Sequence, residues 1–197
     1  MKRTNPGPIL AAALAMAVTT LTACTDRDPP PVEIPTANSS VPAPTPSTPS
    51  PTPSATPLTA AEAKQQALVA YMGMQTAFAA AGQTSDPDYP DLRKYTTGAA
   101  LDLFTTALAK RKKEGVLSRG ETVNHAKVTA VSPAKAPTKA VVEDCMDTSK
   151  TELYKANGGP VSQDKGGFRL ALANLELANG SWKVTDLAVR GVGSCKP

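Results

Sequence analysis

Hydrophobic and polar positions divide this chain of 197 residues into three unlike stretches. Residues 9–21 are almost uniformly apolar, with Lys2 and Arg3 ahead of them. That run of about 13 residues is shorter than the roughly 20 a membrane-spanning helix needs. Residues 25–57 are dominated by Pro, Thr, Ser and Ala, so they have little to bury and cannot offset their own ordering entropy. Regular patterning begins at Leu58. Thr59-Ala60-Ala61-Glu62 has the form of a capping box and predicts a helix from there to about Gly82. Its apolar face is expected at Leu68, Tyr71, Met72, Phe78 and Ala79, which recur at three- and four-residue steps. Asp86-Pro87 and Tyr89-Pro90 break the chain, and Pro90 suits the first position of a short helix through Tyr95. A third helix follows over about 97–114, burying Leu101, Phe104, Ala107 and Leu108.

After Gly115 the texture changes to β. Residues 123–131 predict one strand ending at Ser132-Pro133, residues 139–147 a second, and residues 151–155 a short continuation. Asn179-Gly180 lies between two longer strands, 168–178 and 182–192, and predicts a tight antiparallel hairpin. Helices first and an antiparallel meander after them indicate an α+β domain, with the helices covering one face of the sheet. No internal repeat is visible.

The cationic start and short apolar run read as an export signal, which Leu21-Thr22-Ala23-Cys24 closes. Leucine and two small residues directly before a cysteine resemble the lipobox of bacterial lipoproteins. The resemblance implies that residues 1–23 are removed and that the Cys24 thiol carries a diacylglyceryl group. Residues 24–57 then form a lipid-anchored tether, reaching on the order of 100 Å if extended, and residues 58–197 form the domain it carries. The expected location is the outer face of the cytoplasmic membrane. Without the signal the formal charge falls from +4 to about +2. That is too weak for the concentrated basic face nucleic-acid binding asks for. With Cys24 given to lipid, Cys145 and Cys195 remain, and in an exported chain they read as one disulfide. Two cysteines do not supply the three or four protein ligands of a zinc site, so neither metal nor cofactor is implied.

Three helices followed by a curved antiparallel sheet resemble the nuclear-transport-factor-2-like fold, a cone closed by helices. Residues 67–71 (Ala-Leu-Val-Ala-Tyr), 92–101 (Leu-Arg-Lys-Tyr-Thr-Thr-Gly-Ala-Ala-Leu), 142–145 (Val-Glu-Asp-Cys) and 191–195 (Gly-Val-Gly-Ser-Cys) are similar to small lipoproteins of high-GC Gram-positive bacteria. Enzymes of the wider superfamily include ketosteroid isomerases, scytalone-type dehydratases and polyketide cyclases. Their common need is a carboxylate or imidazole base in an apolar pocket, facing a donor for the enolate oxygen.

The strands here offer Asp144, Asp147, Glu176 and Asp186, and the helices offer Tyr71 and Tyr95. None stands in a motif that assigns it a catalytic role, and strand alternation does not say which acids point inward. His125 has no nucleophile-elbow serine to serve and reads as a polar residue near a strand start. Tyr71, Phe78, Tyr95, Phe104 and Trp182 are the large residues best able to line or plug a pocket. Residues 110–113, Lys-Arg-Lys-Lys, suit a solvated last helical turn, where the macrodipole favours cations. Gly166-Gly167 is turn chemistry.

The expected function is a non-catalytic binding or interaction module, its partner an envelope protein or a small apolar ligand. The alternative is an isomerase or dehydratase acting on a small molecule in the cone. A buried acid facing a tyrosine in an open apolar cavity would favour the enzyme; an interior filled by side chains would favour binding through the outer sheet face.

Overall fold

Thr59 opens the first helix through two reciprocal bonds. Its hydroxyl accepts from the Glu62 amide at 3.2 Å, and the Glu62 carboxylate accepts from the Thr59 amide at 2.8 Å. The computed structural model describes residues 57–159, 161 and 165–197. Helix α1 (Ala60–Thr84) is followed by α2 (Pro90–Tyr95) and α3 (Gly98–Glu114). The expected export signal, Cys24 and the expected tether up to residue 56 lie outside the described residues. No helix among the described residues is long and apolar enough to cross a membrane.

The strands are β1 (Val116–Val123), β2 (Lys127–Ser132), β3 (Lys139–Lys155), β4 (Phe168–Ala178) and β5 (Ser181–Val189). All pairings between them are antiparallel. The long β3 pairs with β4 on one side, and β5 completes the sheet beyond β4. On its other side β3 pairs with both β1 and β2, one along each half of its length. Register shifts where β1 and β2 pair with β3 and where β4 pairs with β5 bend the sheet. Ala140, Val142, Ala173, Leu175, Trp182 and Val184 share one buried cluster with residues of all three helices. The helices therefore cover one face of a curved sheet, the α+β arrangement expected.

Helix α1 departs from the expected face. Its buried residues are Ala63, Ala67, Ala70, Tyr71, Met74, Ala77, Ala81 and Gly82, whereas Met72 and Ala79 are exposed and Leu68 and Phe78 half-buried. Val69 and Met72 share the exposed side with Glu62, Lys64, Gln65, Gln66 and Thr76, so large apolar side chains alone do not mark the inner face. Five alanines lie on that face beside Tyr71 and Met74, and alanine lets helix and sheet approach closely. Gly73 carries this further, since a Cβ there would lie 2.5 Å from the Tyr95 ring. Gly82 is not the helix stop: it is buried against Ser118, whose Oγ a Cβ would strike. The helix ends at Ser85, which takes the left-handed conformation (φ 50°) and bonds its hydroxyl to the Val116 carbonyl at 2.5 Å.

The β half holds two further differences. Residues 123–131 do not form one strand. The edge beside β3 begins earlier, at Val116, and is interrupted at Asn124, His125 and Ala126. Strand β3 in turn runs unbroken through Thr148, Ser149 and Lys150, because β1 pairs with it on both sides of the register shift, at Asp147 and from Lys150 onward. The expected hairpin forms, with Asn179 (φ 51°) and Gly180 (φ 74°) as the two-residue turn between β4 and β5, but β5 ends at Val189, short of the expected 192.

Candidate functional site

Tyr71 and Gln75 stand one helical turn apart on α1, while Asp144 and Met146 stand two residues apart on β3. Those spacings put each pair on one face of its element, and the two faces meet. The Tyr71 hydroxyl donates to Asp144 Oδ2 at 3.0 Å, and Gln75 Nε2 donates to the Tyr71 oxygen at 2.8 Å. Gln75 Nε2 also lies 3.3 Å from Met146 Sδ. The second carboxylate oxygen, Asp144 Oδ1, accepts from the His125 backbone amide at 2.7 Å. Tyr71 and Asp144 are both 0% exposed.

Burial sets the electrostatics. Removal from water pushes the Asp144 pKa up, against the opposing pull of the Tyr71 hydroxyl, the His125 amide and the His125 charge. The Tyr71 phenol is pushed up too, first by burial and then by the neighbouring Asp144 charge. The carboxylate also serves the fold, because it receives the N–H of His125 where the edge strand breaks at residues 124–126. The carboxylate supplies the acceptor that the interrupted ladder does not, so Asp144 and the interruption belong together.

Of the residues expected to line or plug a pocket, Tyr71, Phe104 and Trp182 are buried in the core, and Phe78 and Tyr95 are half-buried against it. Phe78 and Phe104 are in ring contact, with centroids 4.4 Å apart. Two buried side-chain atoms have no hydrogen-bond partner among the described residues, Trp182 Nε1 and Asn124 Oδ1.

The remaining acids stand elsewhere. Asp147 is held below the ordinary carboxylate range, chiefly by the Ser149 amide that donates to it at 2.8 Å. Glu176 pairs with Lys139 at 3.3 Å, and Asp186 is exposed. His125 is exposed, and its backbone, not its ring, reaches Asp144. The basic turn of α3 is largely partnered: Lys110 with Glu114 at 3.8 Å, Lys112 with Asp86 at 4.0 Å, and Arg111 5.5 Å over the Phe78 ring. An open groove of about 360 Å³ lies at the C-terminal end of α3, lined by Glu114, Gly115, Lys155, Ala156, Asn157 and Gly159. It contains none of the expected pocket residues.

Cys145 and Cys195 form the expected disulfide. Gln75, Met146 and the His125 amide are members of the site that sequence patterning does not single out. The four-residue step from Tyr71 to Gln75 and the two-residue step from Asp144 to Met146 are the signals available. They acquire meaning only once α1 is known to lie on β3.

No family profile matches the chain, and no curated protein matches it. Solved structures do. The intermembrane-space region of the chloroplast protein ARC6 is similar at 16% identity and a TM-score of 0.48, over 64% of this chain and 95% of that one. A Streptomyces avermitilis protein of the nuclear-transport-factor-2-like family, described as a candidate dehydratase, gives 11% identity and a TM-score of 0.42, over 66% and 96%. A protein of unknown function with a cystatin-like fold from Nostoc punctiforme gives 11% and 0.43, over 71% and 97%. What the chain has in common with these structures is a matter of fold.

Proposed function

We propose that the protein is a lipid-anchored module of the cell envelope that acts by binding rather than catalysis. On this reading the tether behind Cys24 holds the domain off the outer face of the cytoplasmic membrane. The single observation that carries the non-catalytic part is the closure of the Asp144 carboxylate. Each of its oxygens already accepts a hydrogen bond, from Tyr71 and from His125, and the group is 0% exposed. A general base needs a lone pair within hydrogen-bond reach of substrate.

Because large side chains fill the interior, the partner fits the outer sheet face better than an internal cavity. That face is mixed in character: Val141 is 36% exposed, Leu170 and Leu172 are half-buried, and the Lys127–Glu143 and Lys139–Glu176 pairs flank them. An envelope protein suits such a surface better than a small apolar ligand does. The lipobox, the similarity to small lipoproteins of high-GC Gram-positive bacteria and the Cys145–Cys195 pair support export.

A second reading has one observation in its favour. Asp144 faces Tyr71 in an apolar interior with its pKa raised, the pairing an isomerase or dehydratase would use. The test is turnover of ketosteroid-like and hydroxynaphthalene-like substrates by the purified domain. No turnover is expected, whereas activity abolished by Asp144→Asn with the fold intact would install the enzyme reading. For the anchor, a fatty-acid analogue fed to cells should label the wild-type chain and not Cys24→Ala. Equal labelling of both would overturn it.

A further inference from the structure

After Val189 the chain does not simply end. It runs on beside the first residues of β4 and then turns over them to reach β3. The Arg190 amide donates to the Leu170 carbonyl at 2.8 Å, and the Gly193 amide to the Phe168 carbonyl at 2.7 Å. The Leu170 amide donates to Ser194 Oγ at 2.8 Å, and Cys195 is then bonded to Cys145 on β3. Residues 190–197 thus form a strap that occupies the edge groups of Phe168 and Leu170.

Little besides the bridge holds that strap. Residues 190–194 are all exposed, Cys195 is half-buried, and none of them belongs to the buried core cluster. Val192 sits over Gly167, where a Cβ would come within 2.8 Å of its Cγ1, yet remains 48% exposed. Gly191 lies in the strap, and Gly193 has a φ of 83°, so the segment is conformationally permissive. Three hydrogen bonds open to water add little once the covalent tie is gone.

We infer that the Cys145–Cys195 disulfide is a redox latch: its reduction frees residues 190–197 and uncovers the edge of β4 at Phe168 and Leu170, while the core stays folded. The reductant is a dithiol. Cys195 is the more open sulfur, because Cys145 is only 9% exposed. One thiolate of the dithiol attacks Sγ of Cys195; the Sγ–Sγ bond breaks, and Cys145 leaves as a thiolate that takes up a proton. The second thiolate of the donor then attacks the mixed disulfide. Cys195 is released as a thiol, and the donor departs oxidised to its own disulfide. Two electrons and two protons pass to the protein. The groups uncovered are two carbonyls and one amide on a strand edge, the template to which an extended chain adds.

The test is residue-resolved amide exchange by NMR on the oxidised domain, the same domain reduced with dithiothreitol, and Cys195→Ser. Reduction should speed exchange at Leu170, Arg190 and Gly193 by about 100-fold or more beyond any acceleration at the amides of α1 and of Val142 in β3, which follow only the global stability. Cys195→Ser should show the reduced pattern without reductant, and reoxidation of the wild type should restore protection. Unchanged exchange at those three amides would mean that the strap holds without its bridge. Equal acceleration throughout the domain would make the bridge a global staple. Either result overturns the latch.

Discussion

The two faces of β3 between Asp144 and Asp147 treat the same chemistry in opposite ways. On the inner face Asp144 is sealed under α1 with its pKa pushed up by burial; on the outer face Asp147 is held down by an amide it accepts from. Cys145, between them, ties the outer face to the segment after β5. A few residues of sequence therefore hold a buried brace, a covalent staple and a solvated acid. What an acid on this strand does is decided by the side of the sheet it occupies, not by its neighbours in sequence.

The largest effect is expected on the outer face. The bridge closes a separation of 50 residues, worth about 4 kcal/mol in the loop-entropy description. Cys195→Ser should therefore lower unfolding free energy by no more than about 4 kcal/mol in urea melts, and by less if the native strap gains freedom when released. On the inner face Asp144→Ala strands the Tyr71 hydroxyl and the His125 amide, and should cost about 3 kcal/mol. Asp144→Asn keeps an acceptor for that amide and should cost clearly less. Were the two substitutions equal, the carboxylate's hydrogen bonds would not be what holds the broken edge. Tyr71→Phe removes one bond from each of two partners and should cost about 1 kcal/mol.

The smallest effect is the sharpest discriminator between the faces. Asp144 has a folded pKa above its ordinary 3.8, so the folded state holds its proton more tightly than the unfolded chain does. Its favourable contribution is fully present below the unfolded value and is lost as pH rises through the folded pKa. Asp147 has a folded pKa below 3.8, so its contribution is present above that value and lost as pH falls through the folded pKa. Plotted against pH, the stability difference between wild type and Asp144→Asn should fall with rising pH, and that for Asp147→Asn should rise. Slopes of the same sign would break the comparison.

Sequence patterning reveals what local chemistry dictates. The Thr59 cap, Pro90 at the head of α2, the β4 boundaries and the Asn179-Gly180 turn are each set by residues within a few positions of one another. It misses what depends on a distant partner. The early start of the edge strand at Val116 is hidden because Arg119, Gly120 and Glu121 do not alternate as a half-buried strand should. Its interruption at Asn124 is understood only from Asp144, twenty residues on and on another strand. Periodicity misplaces the inner face of α1 because alanine carries the packing while Met72 looks outward. Asp144 is one of the four strand acids put forward as candidates, and alternation alone does not choose between them.

The interrupted edge has a consequence for how molecules of this kind behave at close quarters. A sheet edge is where one folded chain can zip onto another, and the hazard grows with the length of the uninterrupted run. Had β1 and β2 been continuous, the edge would have matched much of the 17 residues of β3; as built it offers runs of 8 and 6. Gly120, with φ 92°, and the register shifts in both strands distort even these. The acid buried beneath the break thus serves solubility: it makes tolerable, from inside, a flaw that keeps crowded copies from sticking edge to edge.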